Sequence, residues 1–202
     1  LEYSPTLGRA HKLSSIFIYH QDADVPNSES PYKYQFVSGR ANYGFKDRYF
    51  AEVGFSYSGK EAFAPGHRFG FFPAISAAWV ISDENFLKGK KALSFLKVRA
   101  SAGKVGNAAL LERFSYLSQY ATGASYVFGS SNASQGGLTP GVVGNLDFTW
   151  ETAKKYDVGV DASLFHKVDI SLTGFFERRT RILAPEENIL PDIFGGDLAN
   201  AN

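Results

Sequence analysis

The chain has 202 residues and a formal charge of +1, enough for one large domain or two small ones and no electrostatic case for nucleic acid. Cysteine and methionine are both absent, which excludes a disulfide framework and a thiolate metal site. Aromatics make up 15%, with 18 Phe, 11 Tyr and 20 Gly, a mixture suited to pleated strands and tight turns.

In chain order, the first element is a weak strand from Lys12 to Tyr19, whose faces the pattern does not assign. A long loop from Gln21 to Tyr34 follows. Val37, Gly39, Ala41, Tyr43 and Phe45 then share one face, and Lys46-Asp47-Arg48 turns the chain. Tyr49, Ala51, Val53, Phe55 and Tyr57 continue the apolar face, opposite Glu52, Gly54, Ser56 and Ser58. After a loop from Ser58 to Arg68, the run Phe69 to Ile81 forms another strand. Ser82-Asp83-Glu84 is read as the cap of a short helical turn carrying Phe86, Leu87 and Leu93.

Leu96, Val98, Ala100 and Ala102 next alternate with Lys97, Arg99 and Ser101. A long Gly- and Ser-rich segment, Gly103 to Phe148, has room for an extra hairpin between Tyr116 and Phe128. The clearest alternation comes last. From Thr149 to Phe165, Trp150, Tyr156, Val158, Val160, Ala162 and Leu164 oppose Glu151, Lys155, Asp157, Asp161 and Ser163. Phe165-His166-Lys167 turns the chain. Val168, Ile170, Leu172, Gly174 and Phe176 then oppose Asp169, Ser171, Thr173, Glu177 and Arg179. A final loop begins at Ala184.

No apolar run reaches the roughly 18 residues of a membrane helix, because Phe69 to Ile81 is interrupted by Gly70, Pro73 and Ser76. A barrel strand needs only about 9–11 residues, apolar at every second position. With the tight turns at Lys46 and His166 on one rim, every long loop falls on the other, and the Ser82 to Ser94 connection joins the tight turns. That separation is the pattern of outer-membrane barrels. A soluble β-sandwich does not require it.

Four blocks carry a family resemblance. They are Asn42-Tyr43-Gly44-Phe45-Lys46-Asp47-Arg48-Tyr49, the run Arg68 to Ser82, Leu96 to Gly103 with Gly106-Asn107, and Asn145 to Thr152 with Tyr156 to Asp161. In this order they resemble the barrel of SusC/RagA-type TonB-dependent transporters, over roughly Gly39 to Pro185. The resemblance implies a 22-stranded antiparallel transmembrane β-barrel closed by a plug domain, with about seven strands in this chain. It also implies a SusD-like surface lipoprotein as partner, TonB acting through the plug, and import of oligosaccharide or peptide. Nothing here resembles a plug, and the chain reaches Asn202 in a loop without a terminal aromatic strand. Residues 1–202, which open at Leu1-Glu2-Tyr3 without a signal peptide, are therefore expected to be a partial barrel domain of a mature or truncated polypeptide.

For catalysis the residues offer little. His11, His20, His67 and His166 are scattered, with no HExxH and no i, i+4 pair. Glu186-Glu187 is the nearest thing to paired carboxylates, but adjacent residues on an extended chain point apart. Gly136-Gly137 and Gly195-Gly196 lack the lysine and helix of a phosphate loop, and Asn132-Ala133-Ser134 is a chance sequon in a bacterial outer membrane. Lys88-Gly89-Lys90-Lys91 falls on the short-turn rim as a solvated cluster. Arg178-Arg179 and Arg181 fall near the outer end of their strand, where membrane lipid and lipopolysaccharide are neighbours; in the competing role Arg179 and Arg181 face the lumen and Arg178 snorkels at the interface.

Lys97, Arg99, Glu151, Lys155, Asp157 and Asp161 are expected to face the lumen, pairing across strands or with a plug, or else contacting substrate. Tyr116, Tyr120, Tyr126 and Phe128 in the outer loops are candidates for stacking on sugar rings, with loop packing as the competing role. Trp79 and Trp150, with Tyr43, Tyr49 and Tyr57, are expected at the membrane interfaces. The reading is an outer-membrane importer segment with no catalysis, cofactor or metal. Its rivals are a soluble β-sandwich carbohydrate-binding module, a β-rich glycosidase using two carboxylates, and a plain diffusion porin.

Overall fold

The computed structural model describes residues 1–3, 6–7, 10–24, 32–87, 92–109, 114, 116–141 and 144–182. Its main element is one antiparallel sheet. Two short strands, β1 (Glu2–Tyr3) and β2 (Thr6–Leu7), both pair with β3 (His11–Asp24). The sheet then runs through β4 (Tyr32–Phe45), β5 (Tyr49–Lys60), β6 (Phe69–Val80) and β7 (Leu93–Asn107) to β10 (Glu151–Leu164) and β11 (Val168–Thr180). A separate hairpin, β8 (Tyr120–Phe128) and β9 (Ala133–Pro140), interrupts the chain between β7 and β10.

The long strands, β3 to β7 with β10 and β11, carry 12–15 residues each. At about 3.3 Å per residue, and tilted by about 40°, such strands rise roughly 30–38 Å, enough to cross a hydrocarbon layer of about 25–30 Å. The register fixes the faces that alternation predicted. Lys97 lies opposite Asp161, Arg99 opposite Gly159, and Ser101 between Ser76 and Asp157. On the other face Val53 pairs with Ile75, and Ala100 with Val158. Pairing with β4 also assigns β3: Leu13, Phe17 and Tyr19 join the apolar face, and Lys12, Ser14 and His20 the polar one.

Both tight turns have the same construction. Arg48 N–H donates to Phe45 O at 3.0 Å and Lys167 N–H to Leu164 O at 3.0 Å. The central residues Lys46, Asp47, Phe165 and His166 all sit at φ between 52° and 54°. Two consecutive residues at positive φ give a type I′ twist, which matches that of the flanking strands. At the same rim the expected capped helix is instead a single 3-10 turn, Ile81–Asp83, without a side-chain cap. Glu84 ends that turn, and Leu93 opens β7.

The other rim differs from expectation more. The loops expected from Gln21, from Ser58 and from Gly103 begin later, because β3 runs to Asp24, β5 to Lys60 and β7 to Asn107. Above a membrane both faces of a strand meet water, so the hydrogen-bond ladder continues after the apolar alternation has stopped. The expected extra hairpin is present but displaced toward the C-terminus, as β8 and β9. Residues 25–31, 88–91 and everything from 183 lie outside the described residues, among them Lys88-Gly89-Lys90-Lys91, Glu186-Glu187, Gly195-Gly196 and the loop from Ala184.

Among the described residues the sheet has no buried apolar cluster between its two rims. Burial concentrates at the long-loop rim, where Ala62, Phe63, Ala64, Ala108, Tyr116, Phe148 and Trp150 pack with Phe72 and Phe114. The cause lies in β6. Its ladder with β7 ends at Ala74–Gly103, next to Pro73, which has no N–H to donate. Beyond that point Phe72 fills the gap, its ring 5.2 Å from that of Trp150. A Cβ on Gly106 would come within 2.0 Å of Phe72 Cζ, so only glycine allows this crossing. Gly106→Ala is expected to destabilise the rim by about 1–3 kcal/mol, as overpacking does, and Phe72→Leu in the same chain should restore much of the loss. Denaturant midpoints of the two variants check this; an unchanged midpoint for Gly106→Ala would contradict it. Trp150, expected at a membrane interface, belongs to this core instead, with Nε1 donating to Arg68 O at 3.1 Å.

Candidate functional site

The polar face curls into a cleft of about 690 Å³ that takes residues from every long strand from β3 to β10, including Lys12, Asn42, Glu52, Ser76, Arg99 and Asp157. All six residues expected toward the lumen stand on this face, and their neighbours are now visible. Arg99 reaches Asp161 at 3.3 Å and Thr173 Oγ1 at 2.7 Å, so it crosses from β7 over β10 to β11. Gly159 makes that possible, since a Cβ there would lie 2.7 Å from the Arg99 guanidinium carbon. Ser171 donates to Asp161 at 2.6 Å and Ser101 to Asp157 at 3.1 Å. Lys155 pairs with Glu177 at 3.4 Å, and Glu151 takes Asn107 at 3.2 Å and Arg179 at 4.0 Å. Arg99, Glu151, Lys155, Asp157 and Asp161 thus each bond across strands. Lys97, opposite Asp161 in the ladder, has no ion-pair partner among the described residues.

Alternation passed over Phe175. It stands opposite Asp157 on the polar face and is 78% exposed, an apolar ring among charges. The Phe175-Phe176 doublet, which breaks the period of two, was the only signal for it.

The opposite face is apolar and open. Ile75 and Val158 are each 58% exposed and Leu172 67%. Aromatic rows bracket it. Tyr49 stacks on Trp79 at 6.1 Å near the tight-turn rim, and Tyr57 stacks on Phe69 at 5.1 Å toward the other. The eight steps from Tyr49 to Tyr57 correspond to roughly 20 Å of height, close to the apolar band of an outer-membrane barrel. The lower row is tied down by Glu84, which accepts from Tyr49 Oη at 2.6 Å and Trp79 Nε1 at 3.2 Å and pairs with Arg48 at 3.3 Å.

These contacts hold the Glu84 carboxylate below the usual carboxylate range, the Tyr49 hydrogen bond first, then those of Trp79 and the Arg48 charge. A lowered folded-state pKa gives stability that is present above the unfolded value of about 4.3 and is lost as pH falls through the folded value. Glu84→Gln is therefore expected to be less stable than the parent at pH 7 and to converge with it as the medium is acidified toward pH 3. Denaturant midpoints across that range read it out; a gap independent of pH would contradict it.

Of the outer-loop aromatics, Tyr120, Tyr126 and Phe128 lie on β8 and are exposed, whereas Tyr116 is buried against Phe114. Tyr116 thus packs the loop. The histidines have local roles: His11 meets Tyr43 Oη at 2.7 Å, His166 shares a 2.9 Å hydrogen bond with Ser94, and His20 rests on Phe36. No metal-holding group of three or more His, Cys, Asp or Glu occurs among the described residues.

A tall antiparallel sheet with an open apolar face, aromatic borders and a charged concave face is the wall of an outer-membrane β-barrel. The chain matches the family described as TonB dependent receptor-like, beta-barrel, over residues 2–190, and it belongs to that family. It is 32% identical over 148 residues to the TonB-dependent receptor P26 of Formosa agariphila, covering 72% of this chain and 14% of that protein. It is 30% identical over 149 residues to the TonB-dependent receptor SusC of Bacteroides thetaiotaomicron, covering 72% of this chain and 15% of that one. Among solved structures, the RagAB peptide transporter superposes with a TM-score of 0.77 at 18% identity, over 99% of this chain and 25% of that chain. The chain thus spans about a seventh of the curated relatives it matches, and its place is the outer membrane of a Gram-negative cell.

Proposed function

We propose that this wall belongs to a TonB-dependent importer of oligomeric nutrients, glycan or peptide, and that no bond is made or broken by these residues. The observation that carries the reading is the division of the sheet into an open apolar face and a charged concave one, in a chain of this family. In the complete receptor a plug domain supplied by other residues fills the lumen and receives energy through TonB. A SusD-like surface lipoprotein works with the outer loops, as the similarity to SusC suggests. Tyr120, Tyr126 and Phe128 are the rings proposed to meet substrate; their exposure on the long-loop side supports that role.

The test is uptake of labelled oligosaccharides and peptides by cells carrying the full-length receptor. Import should stop when TonB is depleted, and changing Tyr120, Tyr126 and Phe128 together to Ala should reduce it severalfold. Uptake that persists without TonB would make the protein a diffusion porin. Unchanged uptake in the triple variant would remove those three rings from the substrate path.

A further inference from the structure

We propose that Lys104, Lys154 and Arg178 form a site for the phosphate groups of an anionic outer-leaflet lipid, which in a Gram-negative envelope is lipopolysaccharide. The proposal rests on the barrel-wall reading above, and it concerns the outward face rather than the transport path. The ladders place Lys154 directly opposite Lys104 on one side and Arg178 on the other, so three cations stand abreast on three adjacent strands. All three have the parity of Ala100, Val158 and Gly174, the apolar face. The row immediately below holds Ala102, Tyr156 and Phe176, with the two rings 6.3 Å apart. Ascending toward the long-loop rim, the wall therefore passes from aliphatic rows to an aromatic row to a cationic row. That is the order of hydrocarbon, interface and headgroup in the outer leaflet.

Like charges directly opposite each other in a sheet are destabilising, so a row of three requires compensation. None of the three has an ion-pair partner among the described residues; Lys104 only approaches the Phe72 ring, 5.8 Å from its centre. The acids of these strands, Glu151, Asp157, Asp161, Asp169 and Glu177, all have the opposite parity, and all but Asp169 are engaged on the concave face. Lys154 and Arg178 are exposed. A phosphate at this level meets two ammonium groups, which act as mobile point charges, and a guanidinium whose planar fork binds two oxygens at once. A free anion offers the same chemistry. A lipid phosphate is favoured because the apolar rows beneath would hold its acyl chains.

The test uses the full-length receptor in detergent with three probes: bisphosphorylated lipid A, lipid A stripped of phosphate, and inorganic phosphate. The phosphorylated lipid should bind about tenfold or more tightly than the stripped one. Lys154→Gln with Arg178→Gln should abolish that preference, and Lys154→Arg should keep it. Inorganic phosphate at millimolar concentration should not compete. Equal binding of the two lipids, or a preference that survives the double Gln variant, overturns the proposal. Competition by inorganic phosphate would reassign the row to a free anion. The Gln substitutions relieve repulsion, and heat-modifiable migration on gels verifies that the barrel has formed. A receptor that never inserts into a bilayer would instead defeat the barrel-wall reading itself.

Discussion

Replacing Phe63 by Ala is expected to cost about 3–5 kcal/mol, the largest effect of any single substitution in this wall. Phe63 is 0% exposed, and its ring lies 5.2 Å from that of Trp150 in the cluster that joins the 61–68 turn to the start of β10. Deleting the ring leaves a cavity whose walls are pinned. Trp150 is held by its hydrogen bond to Arg68 O, and the backbone of Phe63 itself accepts from Arg68 Nε at 3.2 Å. The loss should appear first at the rim, where the cluster sits. Hydrogen exchange of the 61–68 amides in the intact receptor should accelerate about a hundredfold or more. Unchanged exchange there, with less than about 1 kcal/mol of global loss, would mean that the cluster does not hold the rim.

Val158→Arg should cost about 2–4 kcal/mol on refolding into a bilayer, because it places a charge on the lipid face near mid-depth. Val158 is the eighth residue of the 14 in β10, pairs with Ala100 and Gly174, and is 58% exposed. Asp157→Asn, one residue away on the other face, keeps an acceptor for Ser101 and should cost about 1 kcal/mol or less. The contrast between neighbours isolates the face from the strand. Comparable costs at both positions would contradict the assignment, whatever their size.

How far the residues announced this structure varied with what surrounds each stretch. From Tyr156 to Phe176 one face meets lipid and the other water, so the period of two is clean and register follows from it. Above the membrane that contrast disappears. Gln21 and Asp22 therefore looked like loop while still pairing with Gln35 and Tyr34 in the ladder. Trp150 has the parity of a lipid-facing residue, but its environment is set by Pro73, Phe72 and Gly106, far away in sequence, and by the turn that carries Phe63. No local pattern encodes that meeting. Alternation alone put Lys97, Arg99, Glu151, Lys155, Asp157 and Asp161 on one face of the sheet. The reach of Arg99 across Gly159 to Thr173 was not legible, because it depends on a side chain that is missing. The cationic row on the outward face was legible only through Arg178, set near lipopolysaccharide at the outer end of its strand. Lys104, Lys154 and Arg178 are ordinary polar residues one at a time, and only the register sets them side by side.

The central claim is that Tyr156, Val158 and Val160 of β10 face lipid while Lys155, Asp157 and Asp161 face water. These 202 residues contain no cysteine, so in a receptor made cysteine-free elsewhere a single introduced cysteine gives a direct measurement. Single cysteines at 155, 156, 157, 158, 160 and 161 in the full-length receptor, spin-labelled and reconstituted in vesicles, report collisions with oxygen and with a water-soluble nickel chelate. Labels at 156, 158 and 160 should respond to oxygen and be shielded from nickel, with the reverse at 155, 157 and 161. Labels at 156, 158 and 160 shielded from both reagents, as in the core of a water-soluble sandwich, would contradict the account.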